Sequence, residues 1–235
     1  MRVVITRPQS DSERTAAKLR ARGHDVLVAP LMRVEPLTAD LAGKWGAVIV
    51  TSANAASAIG GNPAREILIK RPLFAVGHRS AEAARQAGFT NVTSAGGDIR
   101  DLVRTLVAQH ADASAPLLYL AGEDRAADLL GELSARGISA EMRVVYRAVA
   151  EAFPPALIAA LRAGAVDAVM HFSRRSADSY LAGATQAGIA GLAMAVHHLC
   201  LSPQVAEPLT AADRIVIAAR PDEAALLELL GAPPC

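Results

Sequence analysis

Six polar cassettes carry most of the chemistry this chain could do. They are Thr6-Arg7-Pro8, Thr51-Ser52-Ala53-Asn54, Gly77-His78-Arg79-Ser80, Gly122-Glu123-Asp124-Arg125, Ser173-Arg174-Arg175-Ser176 and Ser202-Pro203-Gln204. Each follows a short apolar run and precedes a stretch that suits a helix. In an open parallel sheet the carboxyl ends of the strands share one edge, where ligands bind. Helix starts at that edge present unpaired N–H groups and the positive end of the helix dipole, which suit carboxylates or phosphates. Singly, each cassette is an ordinary N-cap, a tight turn or a solvated or salt-bridged surface arginine. Together they describe a receptor for a polyanion, with Arg7, Thr51, Ser52, Ala53, Asn54, Gly77, Ser80, Gly122, Ser173, Arg174, Ser202, Pro203 and Gln204 as candidate contacts.

The cassettes recur between the two halves of the chain. Ser52 is answered by Ser173, 121 residues on (173 − 52), and Val76 to Glu82 by Leu201 to Glu207, 125 on (201 − 76). Leu19-Arg20-Ala21-Arg22-Gly23 returns as Leu133-Ser134-Ala135-Arg136-Gly137, 114 on (133 − 19). Such a repeat implies two similar lobes, and paired lobes imply a ligand cleft.

Other chemistry finds little support. Neither G-x-G-x-x-G nor G-x-x-x-x-G-K-[ST] occurs, which removes the main signs of a dinucleotide or P-loop site. His197 and His198 are adjacent, so on a strand they face opposite ways and do not chelate together. His78 and His171 lie beside cassettes and are candidate hydrogen-bond donors. Tyr146, in Val144-Val145-Tyr146-Arg147, ends a strand at a lobe junction. Its phenol is a proton donor for a departing hydroxyl, or else it packs there with its hydroxyl on a backbone carbonyl.

The elements that position these residues alternate. Strands are expected at 2–6, 25–29, 46–50, 73–76, 91–94, 117–121, 140–146, 166–172, 196–201 and 214–218. The intervening helices include one opened by a Ser10-x-x-Glu13 capping box and closed by Gly23, and one across 123–136. Alternation of this kind indicates an α/β fold with parallel sheets covered on both faces. Pro30 and Pro36 bracket a segment that should be neither helix nor the inside of a sheet. Residues 147–155 hold the corresponding place in the second half, so both segments are expected crossings between lobes.

Composition agrees. Hydrophobic residues make up 52% and aromatic ones 3%, so Ala, Val and Leu must build the cores. A net charge of +1 without a lysine-rich tract argues against nucleic acid or anionic membrane as partner. Cys200 and Cys235 form no disulfide framework and no metal spacing, and the absence of an h-region or a membrane-length apolar run predicts a cytoplasmic protein.

Several segments taken in order resemble the uroporphyrinogen-III synthase family. They are Val3-Val4-Ile5-Thr6-Arg7-Pro8, Ala47-Val48-Ile49-Val50-Thr51-Ser52-Ala53-Asn54-Ala55, Phe74-Ala75-Val76-Gly77-x-x-Ser80-Ala81-Glu82-Ala83, Leu118-Tyr119-Leu120-Ala121-Gly122-Glu123, Val144-Val145-Tyr146-Arg147 and Asp167-Ala168-Val169-x-x-Phe172-Ser173. The resemblance runs from residue 1 to about 230. It implies two lobes, each a parallel sheet flanked by helices, joined by two extended connections with a cleft between them. It also implies interleaving: 1–32 with 150–235 in one lobe, 38–145 in the other, and 33–37 and 146–149 as connections.

The implied reaction closes the linear tetrapyrrole hydroxymethylbilane to uroporphyrinogen III, losing water and inverting ring D through a spiro intermediate. It needs no metal or organic cofactor, and a monomer is expected. The resemblance gives Tyr146 the general acid's role and places the eight substrate carboxylates near Ser52, Ser80, Gly122, Ser173 and Ser202. Where the family often has Gly-Pro-x-Thr-Ala, this chain has Ser202-Pro203-Gln204-Val205-Ala206. That departure leaves a second possibility, a non-catalytic two-lobed paralogue that binds a polyanionic small molecule.

Overall fold

The computed structural model describes residues 1–110, 115–124 and 128–231. The chain opens with β1 (Arg2–Ile5), α1 (Gln9–Arg20), β2 (Asp25–Val28) and β3 (Met32–Pro36). It continues through β4 (Val48–Val50), α2 (Ala53–Ala58), α3 (Arg65–Leu68), β5 (Leu73–Ala75), α4 (His78–Gln86), β6 (Val92–Ser94) and α5 (Ile99–His110). Next come β7 (Leu117–Gly122), α6 (Leu129–Ser134), β8 (Ala140–Ala150), α7 (Pro155–Arg162) and β9 (Ala168–His171). The last elements are α8 (Arg174–Gln186), α9 (Ala190–Met194), β10 (His197–Cys200), α10 (Pro203–Ala206), β11 (Arg214–Ile217) and α11 (Glu223–Glu228). Among the described residues no helix is long and apolar enough to cross a membrane.

Two compact units divide the chain. One comprises Met1–Arg33 and Val149–Cys235, and the other is Val34–Ala148. The chain passes from one to the other within β3 and again within β8.

The two units share one strand order. The first holds a sheet ordered β11-β10-β9-β1-β2, and the second a sheet ordered β6-β5-β4-β7-β8, with β3 added beyond β8. Matching β9 to β4, β10 to β5, β11 to β6, β1 to β7 and β2 to β8 superimposes the orders. The sequence repeat pairs the same elements, and its two families of offset follow from this. Elements after β3 in the second unit recur later in the first, whereas β7 and β8 repeat what β1 and β2 began.

Period-two alternation divides each sheet between two apolar layers. Val4 packs with Leu157, Leu161, Val169 and Tyr180, while Val3 and Ile5 pack with Leu19, Met170 and Leu226. In the second unit Val48 and Val50 join Leu73, Leu118 and Leu120, while Ile49 joins Leu102, Leu106, Tyr119 and Leu129 on the opposite face. Every residue of β4 and β7 is buried, as expected of strands covered on both sides.

Three local expectations change. The segment after Pro30 does join a sheet, as edge strand β3, so the second sheet is not wholly parallel. Leu37 N donates to Val145 O and Glu151 N to Leu31 O, an antiparallel pairing. An edge suits Pro36, whose missing N–H costs a ladder bond only inside a sheet. Ser10 and Glu13 lie inside α1, whose N-cap is Pro8 without a side-chain bond. Gly23 does close that helix, with φ of 79°. Finally, α6 begins at Leu129, capped by the Asp128 side chain on Gly131 N at 2.9 Å. Gly122 to Asp124 are therefore not a helix start.

Candidate functional site

The strand order places the site. In a doubly wound sheet the chain leaves the middle in opposite directions from two adjacent strands, and ligands bind beyond their carboxyl ends. In the first unit those strands are β1 and β9, and in the second they are β7 and β4. The two units use the position differently.

In the first unit it is filled. The Arg7 guanidinium lies 4.2 Å from the centroid of the Phe172 ring, joining the ends of β1 and β9. It also pairs with Asp11 at 3.2 Å and Glu223 at 3.7 Å, bonds Thr15 at 3.3 Å, and is only 11% exposed. Arg7 therefore acts as a structural cation here, tying α1 and α11 to the sheet edge.

In the second unit the same position is open. A cavity of about 420 Å³ is lined by Thr51, Ser52, Val76, Gly97, Asp98, Ile99, Tyr119, Gly122, Asp124 and Tyr146. Thr51 and Ser52 continue β4, Tyr119 and Gly122 belong to β7, and Tyr146 comes from β8. The β7–β8 ladder shifts register between Ala121 and Gly122, so that Gly122 pairs with Tyr146. A methyl group on Gly122 would sit 2.6 Å from Tyr146 Cζ and 2.7 Å from its hydroxyl. Gly122 thus makes room for the Tyr146 ring to lie against the backbone, a use distinct from the ligand contact expected of it.

Burial raises the Tyr146 pKa above its ordinary value of 10.0, and the neighbouring Tyr119 and Asp124 act in the same direction, against a hydrogen bond with Ser52 that lowers it. Ser52 in turn accepts from Asn54 N at 3.2 Å as the N-cap of α2. The Ser52 hydroxyl thus serves both the α2 cap and the Tyr146 phenol. Tyr119 is 5% exposed, and its hydroxyl shares a hydrogen bond of 2.8 Å with Thr51 Oγ1. The cavity offers hydroxyl groups and two aspartates, with neither lysine nor arginine among its described lining residues. Such a lining favours pyrrole N–H groups or a developing cation over a carboxylate.

The remaining candidates are distributed around the two sheet edges. Ala53 and Asn54 form the first turn of α2, and Gly77 is the N-cap of α4. Ser80 is buried within α4 at 5% exposure. In the first unit Ser173 caps α8 by accepting from Ser176 N at 3.2 Å, and Arg174 pairs with Glu207 at 2.7 Å while staying 62% exposed. Ser202 precedes α10 without a side-chain cap bond, Pro203 at its first turn supplies no N–H, and Gln204 is exposed. Arg125 of the fourth cassette lies outside the described residues.

His171 turns inward. It is fully buried, with Nε2 3.0 Å from His198 Nδ1, while His198 Nε2 bonds Ala193 O at 3.1 Å. Burial and the adjacent His198 push His171 down to about 3, and burial pushes His198 down to about 4. Both are buried inside the first unit. His78 is exposed at the start of α4. Among the described residues no group of three or more His, Cys, Asp or Glu side chains could hold a metal ion.

Sequence reasoning missed Tyr119, Gly97 and Asp98. Tyr119 is hidden mid-strand in an apolar run, and only its register opposite Ile49 carries its hydroxyl up to Thr51. Asp98 reads as a helix cap and is one, bonding Asp101 N at 2.8 Å. Its place in the cavity depends on the position of β6.

Comparison with known proteins accords with this architecture. Two solved structures align over nearly all of the chain, each at 18% identity. Uroporphyrinogen-III synthetase from Helicobacter pylori gives a TM-score of 0.65, with 98% of each chain covered. A mutant uroporphyrinogen III synthase from the extremely thermophilic bacterium Thermus thermophilus gives 0.52, covering 98% of this chain and 96% of that one. At that identity the likeness speaks for the fold. No curated protein matches in sequence. The family model described as uroporphyrinogen-III synthase HemD matches residues 13–228, and the chain belongs to the uroporphyrinogen-III synthase family.

Proposed function

We propose that this protein converts hydroxymethylbilane to uroporphyrinogen III as a cyclising hydro-lyase, with Tyr146 as general acid. The observation that carries this assignment is the Tyr146 phenol in the second unit's open cavity, held protonated by burial and hydrogen-bonded with Ser52. Family membership supplies the reaction.

In the proposed sequence the Tyr146 O–H donates to the terminal hydroxyl of the substrate, the C–O bond breaks, and water leaves. The resulting cationic azafulvene is attacked by the substituted α-carbon of ring D, giving the spiro intermediate. That intermediate fragments and recloses at the opposite α-carbon. The proton lost as ring D regains aromaticity balances the one Tyr146 supplied. Asp98 and Asp124 stabilise the cation, and Thr51, Ser52 and the Gly97 backbone shape the space around it. Holding the chain curled selects the inverted product, since orientation can contribute several kcal/mol to one closure over another.

The carboxylate arms are assigned to helix starts. Gly77 at α4 and Ser173-Arg174 at α8 are preferred, because these helices span nine and 13 residues and each start carries basic side chains. Ala53, Asn54, Ser202 and Gln204 are weaker contacts beside the short helices α2 and α10. Arg7 is left out because its charge serves Asp11 and Glu223. An octacarboxylate does not cross a membrane unaided, and action in the cytoplasm as a monomer completes the proposal.

The test is to incubate the pure protein with freshly generated hydroxymethylbilane and resolve the oxidised porphyrin isomers. Isomer III should dominate. Isomer I in the proportion formed without protein would overturn the proposed activity.

A further inference from the structure

We propose that Tyr119 is a positioning residue for the Tyr146 phenol, acting through the Thr51-Ser52 turn. The proposal rests on the assignment of Tyr146 as general acid. Strand register is the first support. Tyr119 pairs with Ile49 across β7 and β4, and Thr51 lies two residues beyond Ile49, hence on the same face and nearer the carboxyl edge. A tyrosine at this place reaches along the sheet toward the cavity, and its hydroxyl meets Thr51 Oγ1 at 2.8 Å.

The second support is how differently the buried tyrosines are satisfied. A buried phenol needs a hydrogen-bond partner, and Tyr180 finds one in the main chain, at Ala193 O. Tyr119 places its hydroxyl on a side chain that lines the cavity. Its ring is gripped by Leu102, Leu106 and Leu129 beneath α5 and α6, so the hydroxyl is a fixed point. Thr51 is β-branched and has few side-chain rotamers, and the shared bond selects among them. The next residue, Ser52, is extended at φ −139° and ψ 145° and carries the hydroxyl that faces Tyr146.

Thr51, Ser52, Tyr119 and Tyr146 all line the one cavity. They form a relay from rigid core to reacting group: Tyr119 holds Thr51, Thr51 sets the turn, and the hydroxyl of Ser52 meets that of Tyr146. Without the Tyr119 hydroxyl the core still packs, but the turn loses its outer anchor.

Three tyrosines occur in the sequence, so labelling tyrosine Cζ with carbon-13 yields three resonances that single Phe substitutions assign. The experiment compares Tyr119→Phe, Thr51→Val, Thr51→Ser and Ser52→Ala at neutral pH. Tyr119→Phe and Thr51→Val should move the Tyr146 resonance in the same direction as Ser52→Ala. Thr51→Ser, which keeps the hydroxyl, should leave it in place, and Tyr180 should stay fixed throughout as a marker of intact packing. A Tyr146 resonance that stays put in Tyr119→Phe, with Tyr180 unmoved, would overturn the proposal. If Tyr119→Phe does not fold, the contrast between Thr51→Val and Thr51→Ser decides in the same way. With hydroxymethylbilane, Tyr119→Phe should lower kcat roughly three- to tenfold at unchanged KM, the range one hydrogen bond spans. The resonance readout does not depend on turnover. A wild-type protein that yields only isomer I would therefore refute the activity alone.

Discussion

At the residue scale, Tyr146 is the group on which the proposed chemistry turns. Burial raises its pKa above 10.0 and the Ser52 hydrogen bond moderates that rise, so the phenol keeps its proton across neutral pH and is lost as a donor only on the alkaline side. Tyr146→Phe should lower kcat about 100-fold, the lower end of what a positioned acid contributes. The surviving product should remain isomer III, because the phenol breaks the C–O bond whereas geometry chooses the carbon that closes. Single-turnover rates with isomer separation check both parts, and unchanged turnover would leave Tyr146 with a packing role only. The cassettes supplied Thr51, Ser52 and Gly122 from sequence alone, but each does something narrower than expected. Ser52 serves Tyr146 and Asn54, and Gly122 yields space to a ring.

At the element scale, β9 and β10 are joined through their side chains as well as their ladder. His171 and His198 are stacked with centroids 5.2 Å apart, and Tyr180 of α8 meets both rings edge-on. Hydrogen-bonding partners assign the protons: His198 Nε2 donates to Ala193 O, His171 Nε2 donates to His198 Nδ1, and His171 Nδ1 is left buried without a partner. Neither ring can gain a proton cheaply, as the values near 3 and 4 against an ordinary 6.5 express. Above pH 6.5 the folded and unfolded chains both hold neutral rings, and the full stability is present. As pH falls from 6.5 toward 4 the unfolded chain takes up protons that the folded one refuses. Stability should then fall by up to about 1.4 kcal/mol per pH unit for each histidine. Melts of the wild type and His171→Leu at about pH 7 and pH 4.5 test this. The variant should show the smaller loss on acidification, and equal losses would show that other groups control acid unfolding.

At the scale of the whole molecule, the two units differ in how the chain composes them. Val34–Ala148 is continuous and contains both apolar layers of its own sheet. The other unit is assembled from both ends of the sequence, and its strand β1 lies between β9 and β2. A fragment of residues 34–148 should therefore fold alone with a cooperative melt, since both apolar layers and the β6-β5-β4-β7-β8 ladders lie within it. A chain lacking residues 1–33 should lose the first unit, because the deletion takes away β1, α1 and β2 together and leaves β9 with an unpaired ladder edge. Circular dichroism and limited proteolysis of the two fragments would test the contrast, and a native-like first unit without β1 would contradict it.

By itself the sequence determined the alternation of strands and helices, the doubled pattern with its 121- and 114-residue offsets, and the polar residues at strand ends. These are legible because periodicity, caps and breakers act within a few residues. Sequence reasoning starts helix α6 too early because Glu123 and Asp124 are good helix-start residues, yet the chain needs them in the turn beside Tyr146. The short helices α3 and α9 carry too few turns to leave a pattern. Only the tertiary structure decided which unit keeps its central ligand position open. Arg7 reads from sequence as a solvated or salt-bridged surface cation, and the structure makes it the salt-bridged one, buried against Phe172 with Asp11 and Glu223 as partners. Tyr119 reads as core and gains a neighbour at the cavity once β7 lies beside β4. Both outcomes depend on contacts between residues far apart in the chain, 165 positions for Arg7 and Phe172 (172 − 7) and 68 for Thr51 and Tyr119 (119 − 51). Local propensities carry no information about such pairings until the strands take their order.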